Sequence, residues 1–95
     1  PILSWHPTSF MKVCSENAPK CVQIFIKAGV DLNAQTSDGK TALMFAIEKK
    51  NIEIASILIE KGADLESKDS KGKTALFYAI QSRLPFLVNV LIGAN

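Results

Sequence analysis

Apolar residues along this chain fall in short blocks at three- and four-residue spacing, separated by polar, turn-rich runs. In the central block Leu43, Ala46, Ile47 and Lys50 recur on one helical face, which predicts a helix from Thr41 to Lys49. Thr41 suits the N-cap, because its hydroxyl can accept a hydrogen bond from a backbone N–H that has no intrahelical partner. Lys50-Asn51 closes this helix, with Asn51 expected to take the left-handed conformation. A second helix is predicted from Ile52 to Lys61, apolar at Ile54, Ala55, Ile57, Leu58 and Ile59, and stopped by Gly62. Residues 63–73 are polar and turn-rich and lead to the next threonine.

The pattern repeats. Thr41-Ala42-Leu43-Met44-Phe45-Ala46-Ile47 is echoed 33 residues later by Thr74-Ala75-Leu76-Phe77-Tyr78-Ala79-Ile80. Twelve of 33 positions are identical between 30–62 and 63–95, so these are two copies of one unit. A more diverged copy, Thr8-Ser9-Phe10-Met11-Lys12-Val13-Cys14, precedes them at the same spacing. Pro19 and Pro85 share the column of Ile52, the first residue of the second predicted helix. That is the helical position where the missing N–H of proline breaks nothing.

A two-helix unit of this size cannot bury its own apolar face. Ala46, Ala79, Leu58 and Leu91 are therefore expected to face neighbouring copies, with stacking supplying the core. The small residues at 46 and 79 would let helices approach closely.

Hydrophobic residues make up 47% of the 95, which excludes a disordered chain. No apolar run approaches the length that crosses a bilayer, so membrane insertion is not expected. Eleven basic and nine acidic residues are interleaved, with no face of unopposed positive charge for tracking phosphates, so nucleic acid is a poor partner. Pro1 reads as the edge of an excised piece rather than a natural start. Cys14 and Cys21 occupy apolar columns, which suggests two buried thiols in a reducing compartment and an intracellular protein, cytoplasmic or nuclear; a disulfide between two packed helices is the alternative.

The 33-residue period, Thr41-Ala42-Leu43-Met44-Phe45-Ala46 and Gly62-Ala63-Asp64-Leu65 together resemble the ankyrin repeat, whose pattern is Gly-x-Thr-Pro-Leu-His-x-Ala followed by two helical turns and Gly-Ala-Asp. The resemblance covers essentially the whole chain. It implies an all-α solenoid of stacked helix-turn-helix units joined by projecting β-hairpin loops, one domain over 1–95 with repeats near 1–29, 30–62 and 63–95. The proline of the pattern is replaced by Ser9, Ala42 and Ala75, and its histidine by Met11, Met44 and Phe77. Hydrogen bonds that the histidine makes between repeats would then give way to apolar packing. Asn17, Lys50 and Arg83 stand where the pattern has a left-handed glycine, a strained choice for Lys and Arg.

The resemblance also implies protein binding through hairpin tips near Asp38 and Lys71 and through a concave groove of first helices. Positions that commonly touch partners correspond to Ser37, Asp38, Lys40, Glu48 and Lys49, then to Ser70, Lys71, Lys73, Gln81 and Ser82, and in the first copy to Trp5, Ser15 and Glu16. Asn33 matches a position modified by asparagine hydroxylases. Trp5, in the column of Asp38 and Lys71, is either an anchor at a tip or a cap folded over the first helix. Lys12, Phe45 and Tyr78 share a column, and a column that accepts Lys suggests an exposed aromatic strip at Phe45 and Tyr78; packing beneath the neighbouring hairpin is the alternative.

Catalytic and cofactor chemistry finds no footing. Gly39-Lys40-Thr41 echoes a phosphate-binding loop, but Ala34 and Ser67 stand where that loop needs a further glycine. Ser70-x-x-Lys73 resembles a serine–lysine pair only because the loop repeats, His6 is the sole histidine, and Asp64 and Glu66 read as loop carboxylates. The chain is therefore expected to be non-enzymatic, without cofactor or metal, and to bind another protein. Two alternatives remain: a scaffold or spacer segment of a larger array, or an adapter region of a multidomain enzyme. Leu87, Val90, Leu91 and Ile92 argue for continuation of the stack, and for self-association through unfinished ends.

Overall fold

The computed structural model describes residues 7–93, with side chains from Ser9 to Gly93. Six helices follow one another in three antiparallel pairs among the described residues: α1 (Pro7–Ser15) with α2 (Pro19–Lys27), α3 (Ala42–Glu48) with α4 (Ile52–Glu60), and α5 (Ala75–Gln81) with α6 (Pro85–Gly93). The first helices α1, α3 and α5 pack side by side in one layer. The second helices form an outer layer in which α2 and α4 touch far more sparingly.

The local signals act as expected. Pro19 and Pro85 open α2 and α6. The Thr41 hydroxyl accepts from the Met44 N–H at 3.3 Å, and the Thr74 hydroxyl accepts from the Phe77 N–H at 3.4 Å. Gly29 and Gly62 leave the second helices at φ of 89° and 93°, where glycine alone is unstrained. α1 begins at Pro7, one residue before Thr8, so its start departs from the register that Thr41 and Thr74 keep.

The turn inside each pair corrects one expectation. Lys50, not Asn51, carries the positive φ of 61°, as do Asn17 and Arg83 in the same column. Asn51 instead keeps φ of −85° and is buried. Its side-chain amide donates to the Cys14 carbonyl at 2.6 Å, satisfying a group at the end of α1 that has no helical partner. A polar tie between neighbouring pairs thus survives in a column where the first and third pairs carry Ala18 and Leu84.

One core runs through the stack. Phe10, Leu43, Met44, Ile47, Ile54, Leu58, Leu87 and Leu91 are buried, as are Ala46 and Ala79 at the close approaches. Burial within a column depends on position in the stack. Ile54 and Leu87 are buried but Cys21 is exposed, so the expectation of two buried thiols holds for Cys14 alone. No described pair precedes α1 and α2 to cover Cys21. Both thiols are free, and burial pushes the Cys14 thiol up to about 12, which leaves it inert.

The mirror effect appears at the other end. Met44 and Ile47 are buried, whereas Phe77 and Ile80, one period later, are exposed together with Ile92. Of the four residues expected to signal continuation, Leu87 and Leu91 lie in the core, Val90 is half-buried and Ile92 is exposed, as are Phe77, Ile80 and Phe86.

Candidate protein-binding surface

Each connector between pairs folds back at a tight hairpin turn, and no strand is formed among the described residues. In the first, the Thr36 N–H donates to the Lys40 carbonyl at 3.0 Å and the Gly39 N–H to the Thr36 carbonyl at 2.8 Å. The second repeats this with Asp69, Lys73 and Gly72. The side chains one period apart also correspond, since Thr36 Oγ1 accepts from the Lys40 N–H at 3.2 Å and Asp69 Oδ1 from the Lys73 N–H at 2.9 Å.

The two tips are fastened to one another. The Ser70 N–H donates to the Asp38 carbonyl at 2.8 Å, and the Gln35 amide bridges the Gly39 carbonyl at 2.7 Å and the Lys68 carbonyl at 3.1 Å. At their base Asn33 Oδ1 accepts from the Asp64 N–H at 2.7 Å. Gly39, at φ of 80°, lets the backbones approach so closely that a Cβ there would lie 2.9 Å from the Asp69 Cα. One backbone-to-backbone bond, with the Gln35 and Asn33 side chains beside it, sets the spacing of the tips.

Between the tips and the first helices lies a cleft of about 470 Å³. Asp38, Lys40, Ser70, Lys71 and Lys73 enter it from the hairpins, Glu48 from the end of α3, and Tyr78 and Gln81 from α5. All eight are residues that the sequence nominated. Ser37, Phe45 and Lys49 are not brought into it. Ser37 and Lys49 are exposed elsewhere, and Phe45 lines a smaller recess of about 220 Å³ with Met11, Lys12 and Ser15. Asn33 is exposed but its carbonyl is engaged by Asp64. Trp5 lies outside the described residues.

Asp69 also lines the cleft and escaped the sequence reading. It is buried and accepts from the Tyr78 hydroxyl as well as from the backbone N–H groups of Lys71 and Lys73, each at 2.9 Å. The signal was present as a paired change. Where the hairpin column turns from Thr36 to Asp69, the helix column turns from Phe45 to Tyr78, which gains the hydroxyl that the carboxylate receives.

Tyr78 takes the second of the two readings its column allowed: although it shares that column with the exposed Lys12, it packs beneath the hairpin and is only 6% exposed. Asp69 holds its hydroxyl while the Lys40 ammonium covers its ring at 5.3 Å from the centroid. Lys40 also lies 4.6 Å from the Phe45 centroid and pairs with Glu48, so one cation ties both aromatic rings and the end of α3 together. The column is exposed or buried according to which hairpin lies above it.

This geometry has a titration signature. Burial first, then the hydrogen bond to Asp69 and the charges of Asp69 and Glu48, push the Tyr78 phenol up to about 12. The Tyr78 hydroxyl, then the Lys73 and Lys71 amides and the Lys73 charge, hold the Asp69 carboxyl below its usual range. Since folding raises the phenol, its contribution is complete below about pH 10 and is lost as pH climbs toward 12. Since folding lowers the carboxyl, its contribution is present above about pH 4 and is lost as pH falls through the folded value. Tyr78 is the only tyrosine, so an ultraviolet phenolate titration reads it directly. A midpoint near 12 is expected in the native protein, and one near 10, the ordinary phenol value, would mean that Asp69 and Tyr78 are not joined.

Among the described residues no cluster of His, Cys, Asp or Glu could hold a metal, and no helix is long and apolar enough to cross a membrane. Comparison with known proteins gives two findings. The sequence model of a family described as Ankyrin repeats (3 copies) matches residues 10–95. The chain is also similar to the nuclear factor NF-kappa-B p105 subunit of Gallus gallus, 43% identical over 44 residues. That match takes in 45% of this chain and 4% of the length of the p105 protein.

Proposed function

The chain belongs to the ankyrin-repeat family, and from that premise we propose that it binds a protein partner through the hairpin tips and the first-helix face. Ankyrin repeats are generally protein–protein interaction modules and are typically non-enzymatic. The observation that carries the finer reading is the cleft of about 470 Å³, where eight residues nominated from the sequence converge between two tips joined by hydrogen bonds. A preorganised surface loses little conformational freedom on binding. Its charges alternate, with Asp38 and Glu48 beside Lys40, Lys71 and Lys73, which suits a folded partner of mixed charge better than nucleic acid. Residues 1–95 are taken as one array with repeats near 1–29, 30–62 and 63–95. The free cysteines favour a reducing, intracellular setting.

Lys71 and Gln81 are exposed, so Lys71→Glu and Gln81→Lys together are expected to leave the melting temperature unchanged. The same pair should weaken capture of the partner bound by the wild-type chain by about tenfold or more, as titration calorimetry with that partner would read. Undiminished affinity would move the contact elsewhere.

The exposed apolar residues Phe77, Ile80 and Ile92 of the third pair favour a second role, as a segment on which a further unit or another copy stacks. Self-association is then expected for isolated 1–95 and would be read as a concentration-dependent rise in mass by sedimentation equilibrium. A monomer at every concentration would reject it. An adapter role in a multidomain enzyme is compatible with both readings, with the chemistry supplied outside these residues.

A further inference from the structure

On the side of the molecule built by the second helices, sparing contact between α2 and α4 leaves a groove of about 520 Å³. Its apolar lining comes from Ile24, Ile26 and Ile57, and Ile24 is 67% exposed, the most exposed large apolar side chain among the described residues. Lys20, Lys27 and Lys61 also line it, against one acidic residue, Glu60. Lys20 and Lys27 are two helical turns apart on α2 with Ile24 between them, so cation, apolar contact and cation follow one another along the groove.

The repeat itself shows that the fold does not demand these lysines. One period later their columns carry Glu53 and Glu60, and the column of Ile24 carries the less exposed Ile57. The α2–α4 seam is therefore basic and apolar where the corresponding positions of the next unit are acidic. Neither ion pair among the described residues, Lys12–Glu16 and Lys40–Glu48, involves any of the three lysines.

We propose that the α2–α4 groove is a second docking site, separate from the cleft at the hairpin tips, for an acidic peptide segment that carries a large apolar side chain. The apolar anchor would displace water over Ile24 and Ile57 while its flanking carboxylates meet Lys20, Lys27 and Lys61. Three lysines around one apolar patch make affinity depend on salt, since the charges remain close to solvent.

The test is a nuclear magnetic resonance titration of the isotopically labelled chain with two amphipathic peptides that share a leucine stripe, one flanked by glutamates and the other by lysines. The glutamate peptide is expected to shift the amide signals of Ile24, Lys27, Ile57 and Lys61, and the lysine peptide to leave them in place. Ile24→Asp, a change at an exposed position that should not alter the melting temperature, is expected to weaken the glutamate peptide by about tenfold. Lys20→Glu, Lys27→Glu and Lys61→Glu together are expected to reverse the preference between peptides. Equal shifts with both peptides, shifts confined to the hairpin cleft, or no saturable response would overturn the proposal. So would sedimentation with phosphatidylglycerol vesicles combined with silence toward the glutamate peptide, because the surface would then be read by lipid.

Discussion

Replacing Ile47 by alanine is expected to destabilise the protein by about 2–5 kcal/mol, while the same change at Ile80 is expected to cost about 0.5 kcal/mol or less. The two residues end the same Thr-Ala-Leu-x-x-Ala-Ile motif and occupy the same turn of α3 and α5. Sequence pattern alone would assign them equal roles. Ile47 is 0% exposed in a helix that α5 packs against, whereas Ile80 is 58% exposed because no described pair covers α5 on that side. Truncating Ile47 removes buried methyl groups and leaves a cavity that rigid neighbours cannot fill. Truncating Ile80 mainly exchanges one exposed surface for another. Thermal melts of the two variants separate the cases: a fall of roughly 10–20 °C is expected for Ile47→Ala and almost none for Ile80→Ala. Equal falls would mean that Ile80 is covered in solution, and equal indifference would mean that the pairs do not stack.

A second contrast lies in the hairpins. Gly39→Ala is expected to cost about 2–4 kcal/mol, and Gly72→Ala about 1–2 kcal/mol. Both glycines have positive φ, 80° and 77°, so an alanine at either position is strained by the backbone alone. Their surroundings differ. A Cβ at Gly39 meets the Asp69 Cα at 2.9 Å and the Ser70 N at 3.0 Å, whereas a Cβ at Gly72 meets nothing within 4 Å. The atoms opposing Gly39 belong to backbone held by the Ser70–Asp38 hydrogen bond, so relief requires the two tips to part. Gly39→Ala should therefore weaken partner binding beyond its effect on stability, because the cleft between the tips widens. Chemical denaturation of both variants, with amide exchange at Ser70 as a local readout, checks this. If Ser70 stays as protected in Gly39→Ala as in Gly72→Ala, the tips are not coupled in the way the geometry requires.

Local signals were legible in the sequence wherever one residue type satisfies a local backbone need. Pro19 and Pro85 marked the starts of α2 and α6 because proline is tolerated at the first helical position, and Thr41 and Thr74 marked α3 and α5 because a hydroxyl can satisfy an orphaned N–H. The strained column of Asn17, Lys50 and Arg83 was visible for the same reason. Illegible features depend on what lies above a residue in the stack. Cys21 and Ile80 depart from the burial that their columns suggested, and the column of Tyr78 left two readings open, because burial belongs to a pair's neighbours and not to its own sequence. Asn51 looked like a turn residue; its contact, the Cys14 carbonyl, is 37 residues away, and no local pattern encodes that distance. The cleft was largely anticipated through family positions, yet Asp69, which orders its floor, appears only when two columns are compared across two units.

On the proposed function, partners are met at the hairpin tips and the first-helix face. Photo-cross-linking tests it most directly, with a benzophenone side chain placed at Lys71 or, on the outer face of α6, at Phe86, in the full-length protein in its own cells. Mass spectrometry is expected to find a specific covalent partner from position 71 and none from position 86. The same adducts from both positions, or a partner captured from 86 alone, would contradict the claim.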